Sequence, residues 1–308
     1  MMIELPDYLQ EFQALPLPEL MRQALAAKLQ NRGPRISFCS IINAKSGRCS
    51  EDCRFCVQSA HYHTEAPVYP LKGKEEILQA AAEAKRIGAG RFSLVTSGRG
   101  LPTSELPMVA AIIAEIIEKV EIKVCASLGI LSQEALAFLK EAGLSRYHHN
   151  LETSREFFPR VVTTHGFEER LETIRAAQAC GLEVCAGGIF GLGESEEDRL
   201  SLALSLKECA VDSVPLNILM PLPGTPFEHN PPLSALEILR SIALYRLIMP
   251  NIPIRLAAGR ETALADFLSS AFLAGADGMM IGGYLTQRGR SPEEDRKFAA
   301  EIKKLWLS

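Results

Sequence analysis

The chain has 308 residues, 47% of them hydrophobic, with 33 Lys and Arg against 37 Asp and Glu for a formal charge of −4. That is enough chain for one large core or two ordinary domains, and the mild acidity, with no basic run, sets aside nucleic acid as the main partner. MMIELPDYLQ at the N-terminus lacks a basic stretch ahead of an apolar core, and MVAAIIAEIIEKV is broken by glutamates, so neither a secretion signal nor a membrane span is expected and the default compartment is a reducing cytoplasm.

Residues 1–35 read as a short N-terminal helical extension that covers one end of the remaining chain. From residue 36 to 308, strand-like runs alternate with amphipathic helical stretches. The strand candidates are ISFCSII (36–42), RFSLV (91–95), IKVCAS (122–127), RYHHN (146–150), LEVCAGGI (182–189), DSVPLNIL (212–219), IPIRLA (252–257) and DGMMIG (277–282). Between them lie helical patterns such as KEEILQAAAEAKRIGA and SQEALAFLKEAG, several ending in a glycine suited to a helix C-cap. Eight such alternations point to an α/β fold, a (β/α)8 TIM-type barrel, with a doubly wound open sheet as the competitor.

Side-chain parity favours the barrel. Side chains alternate between faces along a strand, and here one face is repeatedly polar: Arg91 with Ser93, Lys123 with Cys125 and Ser127, Glu183 with Cys185, Ser213 with Asn217, and Arg255. The opposite faces are apolar and suit packing against outer helices. Ordinary barrel interiors are filled by branched apolar residues, so a polar lumen holding cysteines and arginine reads as a site.

Three of the eight cysteines, Cys49, Cys53 and Cys56, share one loop after the first strand, spaced C-x3-C-x2-C. That is the end of the barrel where such enzymes place their chemistry. Three thiolates can hold three irons of a [4Fe–4S] cluster, which normally takes four cysteines. The remaining iron is then open to a substrate or cofactor. A zinc site completed by His61 or His63 is the competing reading. Free thiols are disfavoured, because three in one exposed loop are an oxidation hazard.

With aromatic Phe55 before the last cysteine, the loop resembles the signature of the radical S-adenosylmethionine (SAM) superfamily. NAKSGRCSEDCRFCVQS, YHHNLETS, VCAGGIFGLGE, SVPLNILMPLPGTP, IRLAAGRE and AGADGMMIGGYLT together resemble the biotin synthase family in order and spacing, from about residue 36 to about 295. The resemblance implies SAM chelated to the open iron and cleaved by one electron. Dethiobiotin then loses hydrogen at two unactivated carbons and receives one sulfur. No acid–base side chain reaches such C–H bonds, so clusters and SAM carry the chemistry. The resemblance further implies a low-potential electron donor of flavodoxin or ferredoxin type, and a homodimer. The rivals are another radical SAM enzyme with an accessory cluster (a hydrogenase-cofactor maturase or an amino-acid mutase) and, from a different class, an electron carrier with no substrate.

The family carries an auxiliary iron–sulfur cluster deeper in the barrel, in its familiar form a [2Fe–2S] centre held by cysteines on strands two, three and five and an arginine on strand seven. Cys125, Cys185 and Arg255 match three of those positions, but Ser93 stands where the second-strand cysteine is expected. Cys39, on the first strand, offers a replacement. Cys39, Cys125, Cys185 and Arg255 would then form one layer of four inward side chains from alternate strands, around a [2Fe–2S] centre or a larger variant. A serine-ligated centre through Ser93 is the alternative. By resemblance, Phe55, His149, Glu152, Arg170, Gly187 and Gly188 lie at SAM, and Asn150 and Asn217 face the ureido ring of the substrate. His148 replaces an asparagine of the familiar pattern and is given no role.

Overall fold

The computed structural model describes residues 6–284 and 289–307. Residues 285 and 286, which end the AGADGMMIGGYLT stretch, lie outside them, as do residues 1–5 of the N-terminal extension and residue 308.

Among the described residues, nine short strands form one sheet: β1 (Ser37–Lys45), β2 (Arg91–Thr96), β3 (Lys123–Ser127), β4 (Arg146–His148), β5 (Glu183–Cys185), β6 (Gly188–Phe190), β7 (Val214–Ile218), β8 (Ile254–Leu256) and β9 (Gly278–Met280). Every pairing is parallel, in the order β5-β4-β3-β2-β1-β9-β8-β7-β6. The two ends of that order are successive pieces of a single run, separated only by Ala186 and Gly187. β5 bonds β4, and β6 bonds β7. Isolated bridges from Cys185 to Ser213 and from Glu152 to Gly188 stitch each piece to the other neighbour. The ring is therefore closed by eight staves, the fifth of them interrupted.

Helices α1 (Asp7–Ala14) and α2 (Leu17–Arg32) precede the ring. The crossovers carry α3 (Lys74–Arg86), α4 (Leu106–Val120), α5 (Gln133–Glu141), α6 (Phe167–Ala179), α7 (Glu196–Glu208), α8 (Ala235–Ile248), α9 (Arg260–Leu264) with α10 (Leu268–Leu273), and α11 (Pro292–Leu307). Local chemistry starts several of them. The Ser132 side chain accepts from Ala135 N at the head of α5. Ser195 with Asp198, and Ser234 with Glu237, form capping boxes on α7 and α8. The apolar strand faces (Phe92 and Leu94, Val124 and Ala126, Val214 and Leu216) are buried against this outer layer. Polar residues of the opposite parity are left pointing along the barrel axis.

At the lower end, α2 packs on α8. Asp277 is the knot there: it accepts from Arg32 Nε (2.9 Å), Arg246 Nη2 (3.2 Å) and Ile254 N (3.0 Å).

Candidate active site

The three-cysteine loop leaves β1 and folds onto the segment between β4 and α6. Cys49 N donates to Gln58 O (3.0 Å) and Ala60 N to Cys49 O (2.7 Å), closing the loop on itself. The Asp52 carboxylate accepts from Thr163 N (2.9 Å) and Thr164 N (3.1 Å). Burial opposes its charge, but these donors and the two threonine hydroxyls outweigh it and hold the carboxyl down at about 2. Burial pushes the Cys56 thiol up to about 11 and raises Cys53 further still, with Arg170 opposing the latter. Such thiols stay protonated until a metal takes the proton's place.

No three Cys, His, Asp or Glu side chains among the described residues converge on a single metal ion, as a zinc site requires. His61 instead places Nε2 2.9 Å from Ser50 O. Thiols that each hold a different iron of a cluster need no such convergence.

Above the barrel lies a cavity of about 400 Å³, within the range of small-molecule sites, whose walls include Cys49, Cys53, Cys56, Phe55, His149 and Arg170. Asn150, Glu152 and Asn217 belong to its polar lining. Asn150 Oδ1 accepts from Gly187 N (3.1 Å) and its Nδ2 donates to Glu152 (3.3 Å). Asn217 Oδ1 accepts from Ala258 N (3.2 Å) and its Nδ2 donates to Gly188 O (3.3 Å). Each amide thus keeps one N–H and one lone pair for a ligand. Burial raises the Glu152 carboxyl, against Arg170 and the Asn150 hydrogen bond. Gly187 and Gly188 do not line this cavity. They permit close approach of backbone: a Cβ on Gly187 would meet Pro215 O at 1.9 Å, and one on Gly188 would meet Glu152 O at 2.4 Å.

Below lies a second, smaller chamber bordered by Cys39, Cys125, Cys185, Arg255, Ser93 and His148. The strand register sorts these side chains. Cys125 and Cys185 each sit beside Arg146 or His148 of β4, Arg255 beside Pro215 and Gly278, and Cys39 beside Arg91 and Met280. Cys39, Cys125, Cys185 and Arg255 therefore occupy one layer from alternate staves, and Ser93, His148, Pro215 and Met280 the layer above. Cys39 is near enough that its charge helps raise both the Cys125 and Cys185 thiols, although burial is the leading cause; Cys185 reaches about 11. Arg91 and Arg146 close the floor by sharing Glu183 Oε2 at 2.7 and 2.8 Å. Ser93 Oγ, His148 Nε2 and Arg255 Nη1 are all shut off from solvent without a hydrogen-bond partner. Two buried thiols and a half-buried one, three guanidiniums and three unpaired polar atoms around one small space fit an electron-rich, sulfur-containing group.

Glu51 and His165 were not singled out by the sequence. Glu51 Oε2 accepts from Thr164 Oγ1 (2.8 Å) and pairs with His165 Nδ1 (2.5 Å), while Arg170 Nε donates to His165 Nε2 (3.1 Å). Both line the upper cavity. Glu51 stands between two of the three cysteines, which was the only local hint; the partner lies over a hundred residues away.

The family described as the radical SAM superfamily matches residues 44–206, and the biotin and thiamin synthesis associated domain matches 215–303. The biotin synthase of Pelotomaculum thermopropionicum is 52% identical over 287 residues, covering 93% of this chain and 89% of that protein. That of Thermotoga neapolitana is 51% identical over 275 residues, covering 89% and 98%. Among solved structures, methylornithine synthase (PylB) superposes with a TM-score of 0.82 at 20% identity, covering 97% of this chain and 93% of that one. The FeFe-hydrogenase maturase HydG from Carboxydothermus hydrogenoformans reaches 0.79 at 21%, covering 95% and 76%. At those identities the structural likeness speaks for the barrel alone. With a three-cysteine loop over an upper cavity, a thiol-lined chamber beneath it and half of its residues shared along nearly its whole length, the chain belongs to the biotin synthase family of radical SAM enzymes.

Proposed function

We propose that this radical SAM enzyme converts dethiobiotin to biotin with SAM in the upper cavity and a sulfur-donating auxiliary cluster in the chamber beneath. The observation that carries this reading is the stacking of the two spaces along the barrel axis. They share the wall residues His148, Pro215, Ala257 and Met280, which puts a substrate held in the upper one next to the contents of the lower.

When bound, the [4Fe–4S] cluster and SAM supply a hydrogen-abstracting radical, and the auxiliary cluster supplies sulfur. Cys49, Cys53 and Cys56 would hold the first cluster, with one iron left for SAM. Phe55, His149, Glu152 and Arg170 would border SAM, the guanidinium suited to pair with its carboxylate. Gly187 and Gly188 act at one remove, since their backbone anchors Asn150, Glu152 and Asn217. The two asparagines use their free N–H and lone pairs on the ureido ring.

For the auxiliary cluster, Cys39 is favoured over Ser93 because it shares the layer of Cys125, Cys185 and Arg255. The set keeps three thiols and one arginine but moves one thiol from the second stave to the first, around a [2Fe–2S] centre or a larger variant in that chamber. A flavodoxin- or ferredoxin-type donor, a homodimer and a reducing cytoplasm complete the proposal, with residues 1–35 as an extension of the barrel at 36–308.

Anaerobic iron and sulfide analysis with Mössbauer spectroscopy, before and after SAM, reductant and dethiobiotin, tests it. Two cluster components are expected, one of them losing sulfide as biotin forms. SAM cleavage indifferent to dethiobiotin would overturn the substrate. Separate Cys39→Ala and Ser93→Ala variants decide the ligand: auxiliary iron lost with Ser93 and kept without Cys39 would reverse the assignment.

A further inference from the structure

Four side chains border both chambers: His148, Pro215, Ala257 and Met280. Of these, only His148 carries a strong hydrogen-bonding group. Its Nε2 is closed off from solvent and meets no partner. The ring sits in the layer immediately above the three thiols, and His148 is the register partner of Cys185 across β4 and β5. An imidazole has an N–H to give in either protonation state.

The other two unpaired groups facing the lower chamber, Ser93 Oγ and Arg255 Nη1, are also able to donate. Three unmatched donors around one space call for an occupant rich in acceptors. The sulfides and thiolates of an iron–sulfur cluster are such acceptors.

We propose that His148 donates a hydrogen bond from Nε2 to a sulfur of the auxiliary cluster, on the face turned toward the substrate. This rests on the reading that Cys39, Cys125, Cys185 and Arg255 hold that cluster. Hydrogen bonds to cluster sulfur raise its reduction potential. His148 thus tunes the sulfur that faces the upper cavity, as a positioning residue that forms no bond to the substrate.

The test uses the full chain, reconstituted anaerobically, with His148→Leu and His148→Asn, iron and sulfide analysis, a potentiometric titration of the auxiliary cluster, and nitrogen hyperfine spectroscopy on protein labelled with nitrogen-15 histidine. The native chain should show a weak histidine coupling in the auxiliary signal. H148L should lose that coupling and shift the potential downward at unchanged iron, and H148N, which keeps an N–H, should restore most of the potential. Unchanged potential and coupling in H148L would overturn the proposal. So would a strong coupling of the kind given by an imidazole bound directly to iron. If H148L does not fold, the labelled native chain and H148N still decide. A native chain that takes up only one cluster's worth of iron would instead sink the two-cluster reading beneath it.

Discussion

In the chain Glu51–His165–Arg170 each proton has one place to go. Arg170 Nε can only donate, so His165 Nε2 accepts and Nδ1–H is turned toward Glu51. Arg170 Nη1 then donates to Asn150 O at 2.8 Å. The cysteine loop, the loop after β4 and the proposed SAM contact are thereby fixed together. Replacing His165 by leucine leaves Glu51 and Arg170 without their shared partner. The loss of a charge-assisted bond is expected to weaken SAM binding about tenfold, read by equilibrium dialysis at unchanged circular dichroism, with His165→Asn recovering part. Acid sensitivity arises from the same histidines. Burial lowers His148, His149 and His165 below the ordinary 6.5, so the unfolded chain binds more protons than the folded one. Stability is then present above that value and is lost as pH falls toward the folded pKa values, by about 1.4 kcal/mol per unit for each such histidine. Glu152, raised by burial, works in the opposite sense as pH rises through its folded pKa, but it is one group against three. Urea unfolding of the metal-free chain at pH 7 and pH 5.5 should show the lower midpoint at 5.5. At this scale the cysteine loop was legible because its spacing is local. Glu51 and His165 were not, because their pairing exists only once the loop after β4 has docked.

Among the elements, the interrupted fifth stave anchors three polar residues of the upper cavity, Asn150, Glu152 and Asn217. Gly187 O accepts from Leu151 N and Glu152 N, and Glu152 O accepts from Ile189 N at 2.8 Å. Glu152 is held at φ 67, in the left-handed region that non-glycine residues seldom enter. A side chain at either glycine would strike backbone, which has no rotamer by which to yield. Gly187→Ala or Gly188→Ala is expected to cost about 3 kcal/mol or more, the upper range of overpacking, seen as a drop in thermal midpoint together with weakened SAM binding. LEVCAGGI reads as one continuous strand from its alternation, and the break within it is invisible there. It comes from the neighbouring staves pressing in. The inward parity of the other staves was legible, since alternation is intrinsic to a strand and its polar face has nowhere to go but the axis.

For the molecule as a whole, strand–helix repetition announced the closed ring, whereas its fastening did not show. The crossover after β8 is divided into α9 and α10, and the lower end is tied by one carboxylate, Asp277, to Arg32 of α2 and Arg246 of α8. Asp277→Ala strands the buried Arg246 charge and is expected to destabilise the fold by about 3–5 kcal/mol, measured by urea unfolding. It should also loosen α2, making it the first helix cut by protease. The floor made by Arg91, Arg146 and Glu183 has a different outcome. With the bottom barred, the lower chamber is a flask whose neck opens into the cavity proposed for the substrate. Traffic through that neck is one-way at any moment, so restocking and reaction must take turns. A saturating dose of dethiobiotin should accordingly slow the uptake of auxiliary iron by the depleted protein, and uptake that is equally fast with the neck filled would mean that a back door exists.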